Sequence, residues 1–350
     1  MNRVQLSQRS SPIFPQPAQV APTRLKQGTE EFLREKYFSE DRVNYLEADL
    51  AKSRLNFAGL VVFSCFICSS PPSYIQTFLQ KFSSSQLFLY FIHLVFLREK
   101  RDSHTDVDRS IYKPQDFVST NVFGTVNVLE AARRYNFKYV HISTDEVYGE
   151  ECSDENSSVN PSSPYSASKA SADLFVKSYI KTYNVEAIIV RPSNNYGPRQ
   201  FPEKFIPKAI IRTILGIYVP IYGNGEQERD WIYVEDTARV IFDLIRSAEW
   251  RGEVYNIPGG YRVKNIQLIR LLERVIKKEI KVKYVSDRPG HDRRYCMINT
   301  KLNYTTTPLE EGLRKTYDWY ANNNWWWSSL VNDEFFKSDE PWRPYEDKKY

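Results

Sequence analysis

The chain has 350 residues, with 48 Lys and Arg against 43 Asp and Glu and a formal net charge of +5. That length allows one large or two medium domains with ample core, and so mild and dispersed a charge demands no nucleic-acid partner while suiting a phosphorylated ligand. The four cysteines are too few for a disulfide framework.

Residues 1 to about 30 are rich in Ser, Gln and Pro without periodicity and read as loosely attached. No secretory leader is visible, so a cytoplasmic protein is expected. Glu30–Lys36 suits a short helix, and the alternation over Val43–Leu50 suits a strand ending near Asp49. Two apolar runs, 57–68 and 87–97, fall short of the about 20 residues that a membrane-spanning helix needs. Core strands or helices are expected there, and no membrane partner. Cys65 and Cys68 lie in the first run, with no second pair or His cluster to complete a metal site.

From about residue 106 the pattern sharpens. Asn121 to Tyr135 predicts an amphipathic helix with Val122, Val126, Leu129 and Ala132 on its inner face. A buried strand follows over 138–143, then a polar loop, a helix from Tyr165 to about Tyr183, and a strand over Val185–Val190. This β-α-β-α-β succession predicts an α/β fold with a doubly wound parallel sheet. Further on come a helix over Phe205–Leu215, a strand and turn over Val219–Gly225, and Trp231–Asp236 leading into a helix that ends near Ala248. The segment Tyr255–Gly260, a helix near 265–278, a basic loop over Asp287–Tyr295 and a helix over Pro308–Tyr320 complete a smaller lobe.

Chemistry concentrates after the strand at 138–143. In an open α/β sheet, ligands bind at the carboxyl ends of strands, and this strand runs into Ser143-Thr-Asp-Glu-Val-Tyr-Gly149. Tyr165 and Lys169 follow at a spacing that puts both side chains on one helical face. A nearby ammonium favours the phenolate, so the pair offers a base, Thr144 a hydroxyl, and Asp145 and Glu146 two carboxyls. A Tyr-x-x-x-Lys alone, or an Asp-Glu turn alone, is commonplace; the ordered combination is not.

From Val107 to about Trp327 the sequence resembles the nucleotide-sugar 4,6-dehydratases of the extended short-chain dehydrogenase/reductase superfamily, and among them the dTDP-glucose enzymes of rhamnose biosynthesis. The matching words include Asp108-Arg-Ser-Ile111, Asn121-Val-Phe-Gly-Thr125, Ser143 to Gly149, Pro164 to Lys169, Ser193-Asn-Asn-Tyr-Gly-Pro198, Phe201 to Pro207, Tyr222 to Gly225, Arg229-Asp-Trp231, Asp287 to Tyr295 and Glu311 to Thr316. The resemblance implies a Rossmann-like fold, NAD as cofactor, dTDP-glucose as substrate and a homodimer. It implies that Tyr165, lowered by Lys169, takes the proton of the sugar 4-hydroxyl during oxidation at C4, with Thr144 holding that hydroxyl. Glu146 would then remove the C5 proton and Asp145 protonate the departing 6-hydroxyl, before C6 is reduced. Ser143, Tyr165, Lys169, Asn195 and Asp49 would face the cofactor. Asn194, Lys204, Tyr222, Arg229, Asn265, Arg288, His291, Asp292 and Tyr295 would bind the substrate, all but Asn194 and Tyr222 at its nucleotide and diphosphate.

On this resemblance the chain divides into a divergent part (1–105), the remaining half of a dinucleotide-binding domain with the active site (106–200), a substrate lobe (201–330) and a tail (331–350). The family's Gly-rich turn, which lets a helix N-terminus approach the pyrophosphate, has no counterpart: the first 123 residues contain only Gly28 and Gly59. A nucleotide-sugar-binding or subunit-interaction protein is therefore a second reading. A sugar epimerase is a third, and it leaves Asp145 and Glu146 without a task.

Overall fold

A computed structural model describes residues 105–343 and the backbone strand Phe91–His93, all within the compact unit Phe57–Tyr350. The expected features at 1–86, including the strand ending at Asp49, lie outside the described residues; of the apolar run 87–97, the strand Phe91–His93 is described.

Four parallel strands form the central sheet, in the order Phe91–His93, Tyr139–Ile142, Ala187–Pro192 and Arg251–Ile257. Strand side chains alternate between faces, and here both faces are covered. Val140, Ile142, Ile188 and Val190 pack with Ile241, Leu244 and Trp250 from and beside the helix Val234–Ser247. Tyr139, Ala187 and Ile189 pack with Val128, Leu129, Ala132 and Val176 from the helices Gly124–Tyr135 and Pro164–Tyr183. Helices on opposite faces of a parallel sheet make the doubly wound α/β arrangement that the pattern predicted. Truncating a side chain such as Ile189, fully buried in the middle of this sheet, costs about 2–5 kcal/mol.

Two details differ from expectation. The helix before the first described catalytic strand begins as a π-helical stretch, Val118–Phe123, and this rotates its inner face: Asn121, Gly124, Thr125, Val128, Leu129 and Ala132 are buried, whereas Val122 and Val126 are only half-buried. The strand expected at 185–190 runs over Ala187–Pro192, because Asn184 in the left-handed region (φ 56°) closes the preceding helix and the chain needs two more residues to reach the sheet.

A second lobe packs around Ile206, Ile210, Ile211, Trp231, Leu268, Leu272 and Leu313. It contains the mixed three-stranded sheet of Asn194–Tyr196, Glu228–Tyr233 and Arg262–Lys264, and the parallel pair Val219–Tyr222 with Val282–Val285. Residues beyond 331 also pack: Phe335, Phe336 and Trp342 are buried, and Asp339 pairs with Arg212 at 2.7 Å. A further parallel ribbon of two residues each, Cys152–Ser153 with Cys296–Met297, carries a disulfide between Cys152 and Cys296. Among the described residues no helix is long and apolar enough to cross a membrane.

Candidate active site

The strand Tyr139–Ile142 delivers Ser143 and Thr144 in extended backbone to a tight 3-10 turn over Asp145–Tyr148. Thr144 caps that turn: its hydroxyl accepts from the Glu146 amide at 3.3 Å and donates to Asp145 Oδ1 at 3.1 Å. Gly149 then turns the chain at φ +75°, where a Cβ would come within 2.5 Å of the Asn160 carbonyl oxygen. Only glycine fits.

The helix Pro164–Tyr183 starts where it does because Ser163 and Ser166 cap each other reciprocally and Pro164 has no amide to leave unpaired. Its first turns carry Tyr165 and Lys169, both buried. The Lys169 ammonium donates to the Ile142 carbonyl at 2.5 Å. Burial pulls Lys169 down to about 8, opposed by the charge of Asp173 one turn further on. Asp173 is itself anchored by His141 Nε2 at 3.1 Å and by Arg191 at 2.8 and 3.0 Å. Those partners hold it ionised down to about 2, against its burial.

The expected lowering of Tyr165 by Lys169 is not what this geometry produces. Burial, then the charge of Glu146, push the phenol well above its ordinary value, and a hydrogen bond with Thr144 is the main opposing influence. The phenol is desolvated first of all, and the charges of Glu146, Asp145 and Asp173 add to that.

Asp145 and Glu146 are both buried. Burial and then Glu146 drive Asp145 well above the usual carboxylate range. Glu146 is raised by burial too, but Arg288, Arg229 and Lys204 counter it. The pair thus favours one proton on Asp145 and a charge on Glu146. Elimination of water needs that division of labour.

The cleft in front of these groups is lined by every sequence-predicted site residue except three. Asp49 is outside the described residues. Asp292 and Tyr295, expected to bind the substrate, stand beside the carboxyls: the Tyr295 hydroxyl shares its one proton between Asp292 Oδ2 at 2.8 Å and Glu146 Oε2 at 3.2 Å. The basic groups are already engaged. Arg288 pairs with Asp108 at 2.9 Å, Lys204 donates to the Thr105 carbonyl, and Arg229 donates to the carbonyls of Glu228 and Asp292 at 2.7 and 3.0 Å. The His291 imidazole, held on Asp287, is pulled down to about 3 by burial and by Arg288, so it enters the cleft neutral. Asn194, Asn195, Tyr222 and Asn265 line the wall.

Asp106, Asp108, Glu203 and Lys208, to which the sequence reading gave no site role, also line the cleft. Asp108 was visible in the Asp-Arg-Ser-Ile word, but nothing local signalled that it would meet Arg288 across 180 positions. Several buried polar atoms of cleft-lining residues lack a protein partner: Ser143 Oγ, Asp145 Oδ2, Asn194 Oδ1 and Arg288 Nε. Buried polar groups are rarely left so, and this set suits a polar, partly anionic ligand. Among the described residues no cluster of three or more His, Cys, Asp or Glu side chains is placed to hold a metal ion.

Residues 102–316 match the sequence profile of the GDP-mannose 4,6-dehydratase family. The chain belongs to this family. Curated dehydratases align over most of their length: dTDP-glucose 4,6-dehydratase of Escherichia coli is 43% identical over 261 residues, 64% of this chain and 72% of that protein. The enzyme of the same name from Neisseria meningitidis is 41% identical over 263 residues, covering 66% and 73%. Among solved structures, the dTDP-glucose 4,6-dehydratase of Streptomyces venezuelae with NAD and TYD bound superposes with a TM-score of 0.64 at 36% identity, over 69% of this chain and 76% of that one. The same fold reaches beyond dehydratases, to the UDP-glucose 4-epimerase of Thermotoga maritima at a TM-score of 0.62 and 28% identity, over 71% and 81%.

Proposed function

We propose that this dehydratase-family chain converts dTDP-glucose to dTDP-4-keto-6-deoxyglucose with NAD as cofactor. The observation that carries the reading is the carboxyl pair Asp145 and Glu146, buried side by side on the capped turn and facing Tyr165. An epimerase has no use for it.

The described residues fit the nicotinamide end of NAD, since Ser143 Oγ and Asn194 Oδ1 are buried and unpartnered on residues that line the cleft with Tyr165 and Lys169. When bound, NAD supplies reversible oxidation at C4 and reduction at C6. Tyr165 takes the 4-hydroxyl proton as the phenolate, a form that burial and Glu146 disfavour in the unliganded cleft, and Thr144 orients that hydroxyl. The 4-keto group acidifies C5–H, and Glu146 removes this proton. Asp145 gives its proton to the 6-hydroxyl, which leaves as water. Arg288, Arg229 and Lys204 suit the diphosphate, with Tyr222, Asn265 and His291 around it. Asn195 stands near the cofactor side.

We further infer a cytoplasmic homodimer. Val118 and Phe123 on the π-helical stretch and Leu174 and Phe175 on the Pro164–Tyr183 helix are exposed apolar side chains on adjoining elements, up to 63% accessible at Phe123. Such a patch suits a second copy of the chain.

The test is calorimetry of NAD binding by the full-length chain, with dTDP-glucose turnover read in parallel. Saturable binding with formation of the 4-keto sugar upholds the reading. Binding of dTDP without NAD binding or turnover replaces it with a nucleotide-sugar-binding protein, the role to which the absent Gly-rich turn points.

A further inference from the structure

The Cys152–Cys296 disulfide joins the two segments from which the carboxyl side of the site is built. Cys152 lies just past Gly149, which closes the turn bearing Asp145 and Glu146. Cys296 directly follows Tyr295, whose hydroxyl reaches Glu146 Oε2 at 3.2 Å. The disulfide shares the task of setting this register with the Glu228 amide, which donates to the Arg293 carbonyl at 2.8 Å, with Arg229, which lies 4.3 Å over the Tyr295 ring, and with Met297, which packs with Val147 and Tyr148. The ribbon is only two residues long on each side, with one further link from the Ile298 amide to the Ser153 carbonyl at 2.9 Å. A two-stranded pair of that length is marginal alone. Glu150 adds contacts to the Arg293 amide and, through its carbonyl, to Arg294 Nε at 3.2 Å, both at the surface.

We propose that the Cys152–Cys296 disulfide is a positioning element for Glu146, holding the Tyr295 hydroxyl against it, and that reduction by a dithiol releases this hold. The proposal rests on the reading of Glu146 as the base. Access is one-sided: Cys152 is exposed and Cys296 buried. A dithiol thiolate attacks the Cys152 sulfur, the S–S bond breaks and Cys296 leaves as a thiolate that takes up a proton. The second thiol then attacks the dithiol sulfur of the mixed disulfide and expels Cys152 as a thiolate that is protonated, so the protein gains two hydrogens and the dithiol becomes a cyclic disulfide. Cystines are rare in the cytoplasm, and those found there are commonly redox-responsive.

Once freed, the Tyr295 hydroxyl no longer donates steadily to Glu146. A donor to a carboxylate favours its charged form, so its loss raises the pH at which Glu146 becomes ionised. A staple with no positioning role would alter stability and leave that pH unmoved.

The full-length chain, purified without reductant, is compared before and after dithiothreitol. Peptide mass mapping is expected to show the Cys152–Cys296 link only before reduction. After reduction, amide exchange over 145–150 and 292–298 is expected to quicken by about tenfold or more. Turnover of dTDP-glucose is expected to lose kcat by about tenfold, as positioning losses do, with KM little changed and the acid limb of the kcat profile moved to higher pH. The Cys152→Ser/Cys296→Ser variant is expected to match the reduced chain and ignore dithiothreitol, and reoxidation of the natural chain to restore it. Absence of the linked peptide, unchanged exchange on reduction, or a loss of kcat with the acid limb in place overturns the proposal. A chain that turns over no dTDP-glucose defeats the functional reading instead, and the exchange measurement still decides whether the clasp holds these segments.

Discussion

Asp145 and Glu146 are adjacent and both buried, yet their charges are set by different neighbours: Arg288, Arg229 and Lys204 favour an ionised Glu146, while Asp145 is pushed up by Glu146 itself. On the proposed roles, the dehydration needs Glu146 deprotonated and Asp145 protonated. The rate is lost as pH falls through the raised value of Glu146 and again as pH rises through the higher value of Asp145. The profile is a bell whose limbs belong to the coupled pair. Lys169, at about 8, adds to the alkaline limb. In Asp145→Asn a residual limb near that pH is expected, and its absence would remove Lys169 from the mechanism. Glu146→Gln is expected to lower kcat by about 10²–10⁴-fold, the usual worth of a positioned base, while a pre-bound cofactor still shows reduction in the ultraviolet.

Asp173 anchors the floor of the site and makes a prediction about stability. Its folded value, about 2, lies below the ordinary 3.8. A depressed acid contributes stability that is present above its unfolded value and is lost as pH falls through its folded value. That contribution, roughly 2 kcal/mol from the size of the shift, should disappear between about pH 4 and pH 2 in acid-unfolding curves and be absent from Asp173→Asn. At neutral pH the same variant leaves Arg191 buried and unpaired, which costs about 3–5 kcal/mol in denaturant unfolding. Adding Arg191→Met should recover part of the loss; no recovery would mean that His141 is the partner that matters.

Much of this was legible because it is local. The run from Ser143 to Gly149 and the Tyr165/Lys169 spacing mark the site, and the short buried strand that leads into it is read directly from the residues before Ser143. What was not legible depends on partners distant in sequence. Cys152 meets Cys296 across 144 positions, Arg288 meets Asp108, and Tyr295 reaches Glu146. No local pattern encodes such pairings. The direction of the Tyr165 shift failed for a related reason: the Tyr-x-x-x-Lys spacing places Lys169 on the right face, but desolvation and two carboxyls outweigh it, and burial is a property of the whole fold.

The exposed apolar patch yields a prediction independent of catalysis. Phe123→Asp with Leu174→Asp puts two charges where a partner copy would desolvate them. Sedimentation or light scattering should report a monomer for the variant and a dimer for the natural chain. A natural chain that is monomeric at micromolar concentration would refute the subunit reading without touching the active site.

Arg288 and Asp108 offer the sharpest test of the nucleotide side. The guanidinium is buried, paired with Asp108 and left with an unpartnered Nε, while Asp108 is also held by Tyr222 at 2.8 Å. A diphosphate must compete with Asp108 for this cation. Arg288→Met should weaken binding of dTDP by about 10–100-fold, the worth of charge-assisted bonds of 1.5–3 kcal/mol. Asp108→Asn keeps the Tyr222 contact and releases the guanidinium, so dTDP should bind tighter, by calorimetry at fixed salt. If Asp108→Asn instead weakens binding, the pair is an architectural strut and the diphosphate is held by Arg229 and Lys204. The opposite signs expected for two members of one ion pair separate these cases, because simple destabilisation would weaken binding in both.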